Sequence, residues 1–66
     1  MKQKHLPLIG LKAELRRRKI TYAMLAEELN ISVSAVFQKI NGRSDFYIYE
    51  IDTICQKFNI DYRFFL

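Results

Sequence analysis

Apolar residues recur along this chain at the three- and four-residue spacing of amphipathic helices, in short blocks separated by Thr, Asn, Ser and Gly. Leu8, Leu11 and Leu15 fall on one face of the first block, with Lys12, Arg16 and Arg17 outside it, which predicts a helix over residues 8–18. Pro7 suits the first turn of that helix, where its missing N–H costs nothing. Gly10 is a weak point inside it, costing about 1 kcal/mol against Ala. The run RRRK at residues 16–19 closes the helix, where cations suit the negative end of its dipole, and at least two of the four are read as structural.

The next blocks carry clearer punctuation. Thr21 is an N-cap for a helix over Tyr22–Leu29, with Leu25, Ala26 and Leu29 inward and Glu27 and Glu28 outward. Asn30 tolerates the left-handed conformation that ends a helix, and Ile31 plugs the turn. Ser32 caps a third helix over Val33–Ile40, and Asn41-Gly42 is another left-handed stop. A fourth helix begins near Tyr47 or Ile48, with Phe46 and Ile51 placed as a hydrophobic staple. Its inner face is expected to hold Ile48, Ile51, Ile54, Cys55 and Phe58. Asn59 ends it, Ile60 plugs the turn, and Asp61 caps a last short helix, Tyr62–Phe65. The expected fold is all-α, five short helices in one domain over residues 1–66, with a loose basic arm at residues 1–6.

Size and composition narrow the chemistry. Half of the 66 residues are hydrophobic, enough for a packed globule but only a small core. The single cysteine, Cys55, cannot form an internal disulfide and is read as a core thiol; with no signal-peptide pattern, a reducing cytoplasm is expected. The longest apolar runs are far too short to span a bilayer. His5, the one histidine, is read as a loop residue, and Gly10 and Gly42 stand alone, so neither metal-ligand spacing nor a phosphate-cradling loop is present and no cofactor is expected. These features argue against an enzyme.

Charge adds a direction. Residues 1–43 hold nine Lys/Arg against three Asp/Glu, and residues 44–66 hold two against four. A one-sided basic field suits a polyanion such as nucleic acid, although a solvated face that keeps a small protein soluble explains it equally well.

Two helices joined by a three-residue turn, TYAMLAEELNISVSAVFQKING, form a helix-turn-helix over about residues 21–41. With LAEELNISVSAVFQKING, the spacing to EIDTICQKFNI and the final short helix, the chain resembles the phage repressor/Cro-like (XRE) family over nearly its whole length. KINGRSDFYIYEI looks especially like small regulators of phages and prophages in Gram-positive bacteria. The resemblance implies a lambda-repressor-like fold and a DNA-binding transcriptional regulator. Two residues depart from the family pattern: Asn30 replaces the glycine more usual at the turn, and Lys39 stands where an apolar anchor is usual. Ile40, four residues after Val36, is expected to take the anchoring role, leaving Lys39 on the flank for a phosphate or for solvent.

By the same resemblance, the third helix enters the major groove with Val33, Ser34, Phe37 and Gln38 as base readers. A Gln38 amide can pair bidentately with adenine, Ser34 can bond either base type, and Val33 and Phe37 can meet a thymine methyl. Phe37 has two readings of equal weight, groove contact or core. Phosphate contacts are expected from Thr21, Tyr22 and Ser32 at helix starts, from Lys39, and from Asn41, Arg43, Ser44 and Tyr47 in the following loop. Thr21 and Ser32 serve as caps whether or not DNA binds. Lys2 and Lys4 either reach along the duplex or form a loose tail. Tyr62, Phe64, Phe65 and Leu66 either cover the core or meet a second copy. The implied partner is operator DNA, bound by a monomer or weak homodimer whose pairing is favoured on DNA. The alternative is a protein-binding module, antirepressor or antitoxin-like, on the same scaffold.

Overall fold

The computed structural model describes residues 3–66. Its elements are α1 (Ile9–Arg17), α2 (Tyr22–Leu29), α3 (Val33–Ile40), α4 (Ile48–Phe58) and a closing 3-10 turn (Tyr62–Phe65), with no strand among the described residues. The all-α class is therefore as expected, the fifth element being a single tight turn.

Side chains and left-handed residues set the boundaries. Thr21 Oγ1 accepts the Met24 N–H at 3.1 Å, Ser32 Oγ accepts the Ala35 N–H at 3.0 Å, and Asp61 Oδ1 accepts the Arg63 N–H at 2.9 Å. Each satisfies a donor that the first helical turn leaves free. Asn30 and Asn59 close α2 and α4 at φ 57° and 54°. After α3 the left-handed position is Gly42, at φ 88°, while Asn41 stays at φ −86°.

α1 differs from expectation at both ends. Leu8 is its N-cap, with Pro7 outside the helix, because the Leu8 N–H is drawn to the Ile40 carbonyl at 2.9 Å. At the other end Lys19 turns left-handed, φ 59°, and the chain doubles back through an Ile20 N–H to Leu15 carbonyl bond of 2.9 Å. Two of the basic run are structural. Arg17 pairs with Glu14 at 2.7 Å, and Arg18 reaches Glu14 at 2.6 Å. Arg18 Nη1 also donates to the carbonyls of Phe58 and Asn59, both at 2.9 Å, capping the far end of α4.

The core joins Leu11 and Leu15 of α1, Leu25 and Ala26 of α2, Val36 and Ile40 of α3, and Ile54 and Ile60. Phe46 meets Phe65 edge-on at 5.3 Å, so at least one C-terminal aromatic covers the core. Ile48 is a correction: it is exposed. α4 turns Glu50 and Ile54 fully inward, and at about 100° per residue Ile48 then falls well outside that stripe. Cys55 is half-buried at the stripe's edge.

The amino-terminal segment is a second correction. Residues 3–5 lie on the loop after α3: the Lys4 and His5 N–H groups donate to the Gly42 carbonyl at 2.7 and 3.1 Å, and Gln3 Nε2 donates to the Asn41 carbonyl at 2.5 Å. His5 Nε2 lies 3.0 Å from the Ser44 carbonyl, which makes it a tether. Lys2 lies outside the described residues.

Candidate nucleic-acid interface

α3 is two-sided. Val36 and Ile40 have no exposed surface, whereas Val33, Ser34 and Phe37 open to solvent and Gln38 is half-buried. Ile40 thus takes the anchoring place expected of it. Phe37 is 51% exposed. The Tyr22 ring flanks it, with centroids 6.3 Å apart. It is a surface residue and not a core one.

Hydroxyls and helix starts lie beside this face. Thr21 and Ser32 are exposed caps of α2 and α3, and Tyr22, half-buried, brings the start of α2 against Phe37. Phe37, Asn41 and Arg43 line one shallow hollow of about 390 Å³, together with Gln3, Leu6 and Pro7. The loop that carries Arg43 and Ser44 is held to α3 itself, since both backbone N–H groups donate to the Gln38 carbonyl, at 2.9 and 3.3 Å. Arg43 is exposed and Ser44 half-buried. Asn41 is largely committed within the protein: its Nδ2 donates to the Phe37 carbonyl at 2.9 Å and its Oδ1 accepts from Lys12 Nζ at 2.5 Å.

Lys39 is not on the flank. It is 8% exposed, and its ammonium donates to Glu50 Oε1 at 2.9 Å and to the Asp45 carbonyl at 3.1 Å. The Tyr47 ring centroid lies 4.4 Å from Nζ. The physical reason is the carboxylate waiting inside: a buried ammonium is tolerable where a buried anion and a carbonyl meet it. Tyr47 keeps most of its ring exposed and stacks on Tyr49, centroids 5.7 Å apart and planes 19° apart.

Three residues of this region were not among the expected site residues: Gln3, Lys12 and Glu50. Glu50 alone carried a signal, since it stands three residues after the N-cap Tyr47, the spacing at which an acid reaches back to a cap N–H, and Oε1 does so at 2.9 Å. Nothing in periodicity foretells the other two, whose partners are distant in sequence.

A capped helix pair at a short turn, with one face of the second helix left open, defines a helix-turn-helix domain. Residues 11–62 match the model of the Cro/C1-type HTH DNA-binding domain, and the chain belongs to that family. No curated relative and no solved structure matches the chain. The family makes it a DNA-binding protein of the regulator type. No helix among the described residues is long and apolar enough to cross a membrane.

Proposed function

We propose that the chain is a sequence-specific repressor that acts by occlusion, sitting on an operator that overlaps a promoter and so blocking polymerase. It fits a phage, prophage or mobile element. The observation that carries this reading is the polarity of α3, whose Val36 and Ile40 are wholly buried while Val33, Ser34 and Phe37 stay open. In this reading Gln38 pairs with adenine, Ser34 bonds a base edge, and Val33 and Phe37 meet thymine methyls. Thr21, Tyr22, Ser32, Arg43, Ser44 and Tyr47 hold phosphates, with Asn41 contributing through the loop it stiffens.

A weak homodimer, favoured on DNA, completes the reading. Its support is an open hollow of about 820 Å³ whose lining includes Phe46, Ile51, Phe64 and Phe65, with Leu6, Ile9 and Leu66 exposed at its rim. Asp45 and Arg63 line the same hollow, so two copies can offer opposite charges to each other.

The test is binding to DNA around the protein's own gene against scrambled duplex, across a salt series. Tight binding to one site with a steep salt slope is the expected result. Weak binding, equal for both duplexes, overturns the regulator reading and favours a protein partner.

A further inference from the structure

α3 packs chiefly on α2, and its backbone scarcely approaches α4. One charged tie nevertheless joins α3, the following loop and α4. Glu50 of α4, 1% exposed, accepts through the same Oε1 from Lys39 Nζ and from the Tyr47 N–H, both at 2.9 Å. The Lys39 ammonium also holds the Asp45 carbonyl and faces the Tyr47 ring. The ammonium is thus met from one residue of α4 and from three successive residues of the loop that runs from α3 to α4, the Asp45 carbonyl and the Phe46 and Tyr47 rings.

An ion pair at this depth is a poor source of stability, because an apolar pair of similar volume does as well or better. It does restrict geometry. A methylene stem ending in an ammonium has one place to put its charge, and that place fixes the roll of α3 and the path of residues 41–47 together.

Resting on the DNA-reading function proposed above, we infer that Glu50 is a positioning residue: without touching DNA, it acts through Lys39 to set the angle of Phe37 and Gln38 toward the bases and to present Arg43, Ser44 and Tyr47 to the backbone. Specificity depends on this registry more than stability does.

The test uses the full chain and a duplex that the wild type selects from a random library. Lys39→Met with Glu50→Leu keeps volume and removes the tie. Its expected behaviour is a folded helical protein whose preference for the selected duplex over scrambled duplex falls at least tenfold. Phosphate-ethylation interference should also vanish at the phosphates lost in an Arg43→Ala control while persisting elsewhere. Unchanged preference with an unchanged interference pattern overturns the proposal. If the double variant does not fold, Glu50→Gln replaces it, keeping shape and an acceptor but not the charge. A fall of several-fold in the same preference supports the positioning role, and no fall overturns it. A wild-type chain that selects no duplex at all brings down the DNA-reading function and the inference with it, a result separable from a change confined to the variants.

Discussion

The carbonyl of Gly42 receives the N–H of His5 at 3.1 Å, and the His5 carbonyl in turn sits where a side chain on residue 42 would be. A Cβ built there would lie 1.8 Å from the His5 carbonyl oxygen, and the backbone holds φ at 88°. Gly42→Ala therefore meets two penalties, a left-handed backbone and a collision with backbone that cannot move without undocking the amino-terminal segment. The expected cost is about 2 kcal/mol or more. It should show as a lower urea midpoint, with loss of amide-exchange protection at Lys4 and His5. Retained protection would mean that the segment tolerates the methyl.

Gly10 is the opposite case. It lies within α1, and an added Cβ there meets the Phe64 ring edge at an ordinary 3.6 Å. Gly10→Ala should raise stability by about 0.5–1 kcal/mol through reduced unfolded-state entropy. In a domain of this size each 1 kcal/mol moves Tm by roughly 4–8 °C, which a thermal melt by circular dichroism resolves.

Acid should weaken the ion pairs of Glu14 with Arg17 and Arg18. Hydrogen bonds from Arg17, opposed by burial and aided by Arg18, hold the Glu14 carboxyl below its ordinary value of 4.5. A depressed folded-state value makes Glu14's contribution fully present above the ordinary value and lost as pH falls through the lowered one. The gap in urea midpoint between wild type and Glu14→Gln should therefore be constant near neutrality and close in acid. Arg18→Ala should cost about 1–2 kcal/mol through its lost bonds to the Phe58 and Asn59 carbonyls.

Cys55 should be slow to modify. Burial first, then Asp52 and Asp61, push its thiol above the ordinary value of 9.0. Because the thiolate is the reactive form, labelling by a disulfide reagent near neutral pH should be well below that of a free thiol and should speed up in denaturant. Native-state labelling as fast as denatured would contradict the burial.

The parts of this molecule that were legible in its sequence are the parts that local chemistry decides. Thr21, Ser32 and Asp61 mark helix starts because a short side chain caps its own helix, and Asn30 and Asn59 mark ends because Asn tolerates a left-handed backbone. α2 and α3 accordingly have the foreseen bounds. What stayed hidden depends on partners far along the chain. Lys39 looks like a surface residue until Glu50, eleven positions on, is folded beneath it. Glu50 in turn rotates the inner stripe of α4 and leaves Ile48 outside. Residues 3–5 look like a tail until Gly42 offers a carbonyl. Lys19 ends α1 left-handed without being Gly or Asn, because Leu15, Ile20 and the packing around them dictate the turn.

In the proposed function Gln38 reads a base and Arg43 holds a phosphate. Gln38 sits half-buried on the open side of α3, and Arg43 stands exposed on a loop whose backbone is tied to the Gln38 carbonyl. A base contact discriminates among sequences, whereas a phosphate contact strengthens all of them alike. Gln38→Ala should therefore cost about 1–3 kcal/mol on the selected duplex and relax preference at one base pair. Arg43→Ala should weaken binding to every duplex and lower the salt slope by roughly one. The pair is measured by titrating each variant against single-position variants of the selected duplex at several salt concentrations. If Gln38→Ala lowers all affinities equally, its amide touches the backbone, and base reading falls to Val33, Ser34 and Phe37. If both variants bind as wild type does, α3 is not the reading helix.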